Sequence, residues 1–247
     1  MREDIMRLDY APHEIWISAE SHVEKESRAF SCKKEPDTVS WIEKYIKSGD
    51  TALDIGANVG AYSLIMAKVM GDKGKVYAFE PAWQNFQKLN KNIILNKCQD
   101  RMVALNIALS DEKKIDIFNY RDLTYGSSLH TVGEAVDFVG KEFEPAMRQE
   151  IMCYTVDGFV KEFGIGEVNH IKLDVDGIEA KVIKGAQGLL RSSACRSMMV
   201  ELNEDFEADR ECLDLIKSCG FKVVSKSPNP SAFYESDTIF NYIFVKE

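Results

Sequence analysis

Residues 51–70, TALDIGANVGAYSLIMAKVM, contain the pattern that decides the predicted fold. A short apolar run leads to Asp54, and the turn at residues 56–60 leads into Ala- and Met-rich helical sequence. This order is typical of a β-strand, a glycine-containing turn and an α-helix. Glycines let such a turn approach a ligand closely, and the helix N-terminus presents free N–H groups. The stretch therefore predicts a nucleotide-like cofactor beside the turn.

Strand-like and helix-like segments alternate after this stretch. The further strands that we predict are residues 75–79, 102–107, 114–120, 151–155, 169–174 and 198–202. The further helices are residues 83–96, 156–163, 178–190 and 206–218, and residues 134–150 are predicted to be partly helical. The last two strands, 221–225 and 238–245, have no helix between them, so they should pair antiparallel at the sheet edge.

The chain of 247 residues is long enough for one large α/β domain with a full core. Residues 1–50 are predicted to be a polar lead-in followed by a helix, starting at Pro36, that packs on the core. Residues 51–247 are predicted to form the cofactor-binding domain.

Charge and cysteine content exclude several classes of protein. The net charge of −9 disfavours binding to phosphate backbones, so we expect no nucleic-acid partner. The 6 cysteines include no C-x-x-C pair, which indicates neither a zinc site nor a disulfide framework, and we expect them to be reduced in a cytoplasmic protein. No run approaches the roughly 20 apolar residues that cross a bilayer, so no transmembrane segment is expected.

Acidic side chains stand at the ends of the predicted strands, where ligands bind in open α/β sheets. These acids are Asp54, Glu80, Asp111, Asp174 and Glu201. Glu80 lies 20 residues after Gly60, which is the separation expected for a carboxylate that accepts hydrogen bonds from ribose hydroxyls.

The turn differs from the dinucleotide-binding pattern G-x-G-x-x-G, because it reads Asp54-x-Gly56-x-Asn58-x-Gly60. An acid at this position would repel a pyrophosphate and attract the ammonium group of an amino acid, which favours S-adenosylmethionine. An NAD-dependent oxidoreductase is the alternative, since Glu80 could serve either cofactor, although Asn58 and the antiparallel strand pair count against it. A non-catalytic cofactor-binding subunit is a third hypothesis, which the acids at the strand ends make less attractive.

Several segments together resemble the FkbM family of S-adenosylmethionine-dependent methyltransferases. The segments are LDIGANVGAYSL, YAFEP, NIALSD, the Gly-Ser-Ser loop and IKLDVDGIEAKVIKGA, within residues 51–203. The family pattern usually has Glu where Asp176 stands. The resemblance implies the class I methyltransferase fold, a Rossmann-like, doubly wound, mostly parallel seven-stranded sheet with an antiparallel C-terminal strand.

The same resemblance implies roles for individual residues. The turn residues that would hold the methionine moiety are Asp54, Gly56, Ala57, Asn58 and Gly60. Glu80, with Pro81 beside it, would bind the ribose, and Ser110 and Asp111 would bind the adenine. Family members are chiefly O-methyltransferases, so the implied acceptor is a hydroxyl of a sugar, a lipid or a small natural product.

Methyl transfer to a hydroxyl requires that the acceptor oxygen be aligned and lose its proton. Asp174 is the first candidate for the proton acceptor because it ends a predicted core strand, and Glu201 and the loop residue His130 are further candidates. A metal could instead lower the hydroxyl pKa. Asp174, Glu201 and Asn203 offer oxygen ligands on neighbouring strand ends, a set that suits magnesium.

Other residues have structural interpretations. Asp176 and Glu179 precede an apolar helix in the spacing of a capping box, with Asp176 as N-cap and Glu179 reaching back to it. His170 is expected within its strand. Acceptor contacts are expected in the loop of residues 121–133. The sequence leaves open the acceptor, the need for a metal and a homo-oligomeric state.

Overall fold

The structure, a computed structural model, describes residues 4–137, 139–229 and 238–246. The strands are β1 (Ile5–Arg7), β2 (Trp16–Ser18), β3 (Thr51–Ile55), β4 (Lys75–Phe79), β5 (Met102–Leu105), β6 (Ala108–Leu109), β7 (Lys114–Tyr120), β8 (Thr131–Val132), β9 (Met147–Tyr154), β10 (His170–Leu173), β11 (Ser197–Asn203), β12 (Lys222–Pro228) and β13 (Ile239–Val245). The α-helices are α1 (His22–Glu26), α2 (Ser31–Lys34), α3 (Pro36–Tyr45), α4 (Ala61–Met70), α5 (Trp83–Leu95), α6 (Val156–Glu162), α7 (Glu179–Lys184), α8 (Gln187–Arg191) and α9 (Glu207–Ser218). Short 3₁₀ turns lie at Arg28–Phe30 and Gly71–Lys73.

A seven-stranded sheet forms the centre of the fold, in the order β12-β13-β11-β10-β3-β4-β5. The strands from β11 to β5 run parallel, whereas β13 pairs antiparallel with both β11 and β12. The structure thus confirms the predicted doubly wound sheet and its antiparallel C-terminal strand pair. Strand order reverses between β3 and β10, so a ligand crevice is expected at the carboxyl ends of these two strands.

Helices cover both faces of this sheet, which is why its parallel strands read as nearly continuous apolar runs. One core lies beneath α3, α4 and α5 and includes the fully buried side chains of Trp41, Leu64 and Leu89. The other core, on the opposite face, includes Phe159 and Ile216 from the helices α6 and α9. Among the described helices, none combines the length and the apolar character that crossing a membrane requires.

The N-terminal segment packs against the same core as α5. Ile15 and Ile17 are fully buried there. Backbone N–H groups of β2 donate to the side-chain oxygens of Asn92 in α5 and of Asn96, which directly follows this helix. The segment is therefore placed beside the sheet, while the boundary between residues 1–50 and 51–247 stays a prediction.

The partly helical prediction for residues 134–150 is wrong. The described residues of this range form a bridge between Val136 and Glu142 and then enter β9. This strand pairs along its length with β7 in a second, four-stranded sheet of order β6-β9-β7-β8. Its exposed side chains include Met152 as well as Arg148 and Glu150, whereas the polar Gln149 lies on the less exposed side, so the strand lacks a clear apolar–polar alternation in the sequence.

The single helix predicted for residues 178–190 is divided into α7 and α8 at Gly185. A Cβ atom at Gly185 would lie 2.2 Å from the backbone oxygen of Ser110, so only glycine allows the two segments to approach this closely. Glycine is therefore required at this break, because two distant parts of the chain meet there.

Candidate functional site

A cleft of about 1260 Å³ opens at the carboxyl ends of the parallel strands. Its walls include residues that follow β3, β4, β5 and β10, together with Glu201 of β11. Sites for a single drug-sized ligand usually measure about 300–1,000 Å³. The cleft therefore has room for a cofactor and an acceptor side by side.

The glycine turn after β3 is pressed against the end of β10. Gly56 has a φ of +87°, and a Cβ atom there would lie 1.8 Å from the backbone oxygen of Asp174. The N–H groups of Gly56 and Ala57 both donate to the Phe79 carbonyl, which ties the turn to β4 as well. Gly60 also has a φ of +87° and precedes α4. Glycine is thus required where the turn meets Asp174.

Asp54 lies beneath the turn and does not line the cleft. Its side chain is buried, and it accepts a hydrogen bond from the Ser63 hydroxyl of α4. Its other carboxylate oxygen has no partner among the described residues. Burial raises the pKa of this carboxyl. The structure therefore places Asp54 where it supports the turn, rather than on the surface that a cofactor would contact.

Glu80, at the end of β4, lines the cleft together with Pro81. One carboxylate oxygen accepts a hydrogen bond of 2.7 Å from the N–H of Asn58, and the other accepts one of 2.8 Å from the N–H of Ala82. Each oxygen can accept a further hydrogen bond. Burial raises the pKa of Glu80 to about 7.

Ser110 and Asp111, the residues implied for adenine binding, do not line the cleft. The Ser110 hydroxyl donates to the Asp111 carboxylate at 3.1 Å, and Asp111 is exposed. The cleft wall in this part of the structure consists instead of Ile107, Ala108 and Leu109. An apolar wall of this kind suits the face of an aromatic base.

Three carboxylates, those of Asp174, Asp176 and Glu201, converge in the cleft. One oxygen of each lies within 4.8 Å of the others. Burial, followed by the charge of Asp174, raises the pKa of Asp176 to about 6. Burial and then the charges of Asp174 and Asp176 raise the pKa of Glu201 well above its ordinary value. Burial and the neighbouring negative charges thus both disfavour the charged form of Glu201.

Lys172 is a buried residue beside the carboxylates that the sequence did not single out. Its side chain is buried, and its Nζ donates to the Asp174 carboxylate at 2.9 Å. Although burial acts in the opposite direction, this ammonium group holds the pKa of Asp174 below its ordinary value. A signal was present in the sequence, because residues 172 and 174 of an extended strand point to the same side.

Asn203, predicted as a metal ligand, lies outside the cleft lining. Its amide oxygen accepts hydrogen bonds from the Thr238 hydroxyl and from the Asp205 N–H. Asp176 is the residue that the structure brings to Asp174 and Glu201 in its place.

The capping box predicted for Asp176 and Glu179 is wrong. The N-cap of α7 is Ile178, and Asp176 has a φ of +60° outside the helix. The Asp176 carboxylate accepts from the N–H of Leu129 at 2.7 Å. Glu179 accepts from the backbone N–H groups of Val175 and Gly177. Asp176 therefore does not cap a helix and instead stabilises the loop of residues 121–133.

His130 is buried within that loop. Its Nδ1 accepts a hydrogen bond of 3.1 Å from the N–H of Arg121, and its Nε2 lies 3.2 Å from the Ser127 hydroxyl. Burial lowers its pKa to about 4. These contacts fit a neutral imidazole that orders the loop. His130 is poorly placed to act as a general base, because the lone pair of its Nδ1 already accepts a hydrogen bond from Arg121. His170 lies within β10 as expected, between Asp50 and Ser197.

The loop of residues 121–133 is tied directly to the glycine turn. The backbone oxygen of Ser127 accepts from the side-chain amides of Asn58 and Asn85, at 2.8 and 2.9 Å. The N–H of Gly126 donates to the Asn85 oxygen, and the Gly126 carbonyl accepts from Arg28. The predicted acceptor loop and the predicted cofactor turn thus form one connected wall.

The family model of the methyltransferase FkbM domain matches residues 54–223, more than half of the chain. The chain belongs to the FkbM methyltransferase family. This result confirms the resemblance found in the sequence.

Two curated relatives of this FkbM protein are methyltransferases. Methyltransferase sdnD of Sordaria araneosa is 28% identical over 160 residues, covering 57% of this chain and 61% of the relative. Hexuronic acid methyltransferase AglP of Haloferax volcanii is 25% identical over 170 residues, covering 69% and 64%. The chain thus spans less than two thirds of the length of each of these relatives.

A crystal structure of methyltransferase FkbM from Methylobacillus flagellatus KT matches this chain with a TM-score of 0.52. The match has 15% sequence identity and covers 79% of this chain and 43% of the other. Together with the strand order, this likeness identifies the fold as that of the class I methyltransferases.

Proposed function

We propose that this FkbM protein is an S-adenosylmethionine-dependent O-methyltransferase that acts on a hydroxyl of a sugar, a lipid or a small natural product. The observation that carries the proposal is the contact between the turn at Gly56 and the backbone of Asp174. Because this contact is so close, a cofactor on the turn would place its reactive end beside the carboxylates of Asp174, Asp176 and Glu201.

The residues that face the cleft fit S-adenosylmethionine. Glu80 offers acceptors for the ribose hydroxyls, and Ile107 and Leu109 offer an apolar wall for the base. When bound, S-adenosylmethionine supplies an electrophilic methyl group on a sulfonium sulfur. Asp54 is buried below the turn and does not line the cleft, so it cannot have the direct contact with the ammonium group that the sequence suggested. In this proposal Asp54 supports the shape of the turn instead.

Asp174 is the residue that we propose accepts the hydrogen bond, and then the proton, of the acceptor hydroxyl. Lys172 favours the ionised form of the Asp174 carboxylate without competing for the acceptor, since its ammonium group is buried and does not line the main cleft. General acid–base catalysis of this kind contributes about 10²–10⁴-fold in rate.

A small acceptor is proposed on two grounds. The relative from Haloferax volcanii is named for hexuronic acid, which supports a sugar as the acceptor. The net charge of −9 disfavours a nucleic-acid acceptor.

The methylation itself can be tested before the acceptor is identified. The purified protein is incubated with small-molecule extracts and S-adenosylmethionine that carries a deuterated methyl group, and labelled products are found by mass spectrometry. The proposal predicts the label on a hydroxyl oxygen. Tight cofactor binding without labelled product in any extract would favour the non-catalytic cofactor-binding subunit.

We also propose that a divalent cation such as magnesium binds between Asp174, Asp176 and Glu201. Three crowded carboxylates with converging oxygens match the preference of hard cations for oxygen ligands. Asn229 adds support, because its amide donates to Glu201 while its own buried oxygen has no partner among the described residues.

Calorimetric titration with magnesium chloride tests the cation site. We expect Asp176→Asn to weaken magnesium binding by about tenfold or more, a loss of about 1.4 kcal/mol, because one of the three charged ligands is removed. Asp214→Asn, at a side chain that is 84% exposed, is the matched control and should have no effect. The cation is excluded if the wild type shows no magnesium binding and its methyl transfer survives a chelator.

The Glu80 contacts lead to a prediction about cofactor affinity. Glu80→Ala should weaken S-adenosylmethionine binding by about 10- to 100-fold, since hydrogen bonds to charged groups contribute about 1.5–3 kcal/mol. Calorimetric titration measures the change, and a dissociation constant equal to that of the wild type would refute the assignment of Glu80 to the ribose.

A pH series provides a second readout of the same assignment. Because burial raises the pKa of Glu80 to about 7, the carboxylate is mostly charged at pH 8 and mostly protonated at pH 6. Affinity for S-adenosylmethionine should therefore fall as the pH is lowered between these values. Glu80→Gln, which has no such proton to gain, should bind with a much flatter pH profile.

A further inference from the structure

Arg28 lies in the 3₁₀ turn between α1 and α2, where the N-terminal segment crosses the cleft. It lines both the main cleft and a small adjoining cavity that is also bordered by Gly56, Asn58 and Asp174. The guanidinium group therefore stands next to the turn on which the methionine end of the cofactor would rest.

The Arg28 guanidinium is held in place but has donors to spare. Its Nε donates to the Gly126 carbonyl at 2.8 Å, which orients the planar group. Within residues 4–137, 139–229 and 238–246, no hydrogen bond or ion pair engages its two terminal nitrogens. Arg28 lines the same cleft as Glu80, Asp174 and Asp176, and no ion pair joins it to any of these three carboxylates.

Three other cations around these cavities are already engaged, and Lys33 lines the main cleft but not the small cavity beside the turn. Lys172 donates to Asp174, and the Nζ of Lys34 lies 3.4 Å from a carboxylate oxygen of Glu35. The Nη1 of Arg121 lies 3.1 Å from Asp137. Arg28 is thus the cation beside the turn that retains donors for a ligand.

We propose that Arg28 binds the carboxylate of the methionine moiety of S-adenosylmethionine, an inference that rests on the proposed function. That end of the cofactor is a zwitterion, so it needs a cation as well as the acceptors that its ammonium group uses. Two parallel N–H groups of an arginine match a carboxylate in a bidentate geometry that lysine cannot reproduce. The N-terminal segment would thereby contribute directly to cofactor selection.

Decarboxylated S-adenosylmethionine, which lacks only this carboxylate, makes the inference testable. Calorimetry would give the dissociation constants of both ligands for the wild type and for Arg28→Gln. We expect the substitution to weaken binding of S-adenosylmethionine by about 10- to 100-fold. Its effect on the decarboxylated ligand should be less than about twofold, within the scatter of near-neutral contacts.

Control variants separate this role from a structural one. Lys25→Gln removes a charge from α1, at a side chain that lines neither the cleft nor the small cavity, and should bind both ligands like the wild type. Arg28→Lys should recover only part of the discrimination. Equal weakening of both ligands in Arg28→Gln would show that Arg28 only positions the Gly126 loop, and no weakening of either would show that it does not contact the cofactor; both results overturn the inference. If the wild type itself fails to bind S-adenosylmethionine, the proposed function fails with it.

Discussion

Gly56→Ala is expected to abolish S-adenosylmethionine binding and to destabilise the protein strongly. The new Cβ atom would lie 1.8 Å from the backbone oxygen of Asp174, and backbone at the end of a central strand cannot move aside like a side chain. The left-handed conformation costs a further 1–2 kcal/mol or so. Total stability of a domain is only about 5–15 kcal/mol, so the variant should either fail to fold or separate the turn from β10.

Gly49→Ala is the matched control for this substitution. Gly49 has a φ of +85°, similar to that of Gly56, but the nearest atom to its Cβ position is 3.8 Å away, on Lys73. Gly49→Ala should therefore lose only the stability that the left-handed conformation costs an alanine, and it should still bind the cofactor. Thermal unfolding and calorimetric titration of both variants measure the difference. A Gly56→Ala protein with wild-type affinity would refute the place given to this turn.

Asp174→Asn should lower the methyl-transfer rate by about 10²–10⁴-fold, the contribution expected of a positioned proton acceptor. The amide has the same shape and can still accept from Lys172, so the dissociation constant for S-adenosylmethionine should change by less than about tenfold, or 1.4 kcal/mol. The rate is measured as transfer of labelled methyl groups into the small-molecule extract that supports wild-type activity.

Stability measurements keep this result interpretable. Replacing Asp174 weakens a buried ion pair, and removal of one partner of such a pair can cost about 3–5 kcal/mol, although asparagine keeps one acceptor. The double variant Lys172→Met, Asp174→Asn removes both charges and should recover part of the lost stability without recovering activity. Asp214→Asn makes the same chemical change at an exposed site and should retain full activity. Wild-type activity of Asp174→Asn would show that Asp174 is not the proton acceptor and would favour Glu201 or a bound cation in its place.

The central sheet was predictable because its signals are local. The strand β4 coincides with the predicted residues 75–79, and the antiparallel pair of β12 and β13 followed from the absence of a helix between two strands. In contrast, β9 was missed over residues 147–150, because Arg148 and Glu150 belong to a half-exposed strand whose partner, β7, lies far away in the sequence. A local pattern does not show which residues a strand will pair with.

The sequence indicates which strand ends carry the residues of the site, but not which other residues those side chains contact. Asp174, Glu80 and Glu201 line the cleft as the sequence indicates. Asp54 does not, because the side chain of a strand residue can point to the helices instead of to the ligand. Asp176 accepts a hydrogen bond from the N–H of Leu129 in the loop of residues 121–133. Arg28, from the N-terminal segment, borders the small cavity beside the turn. Such roles depend on contacts between remote parts of the chain, which no motif encodes.

Calorimetric titration of the purified wild-type protein with S-adenosylmethionine, and in parallel with NADH, tests the central claim most directly. We predict saturable binding of one S-adenosylmethionine per chain and no detectable binding of NADH. A well-folded protein that does not bind S-adenosylmethionine, or that prefers NADH, would contradict the account of the cleft given above.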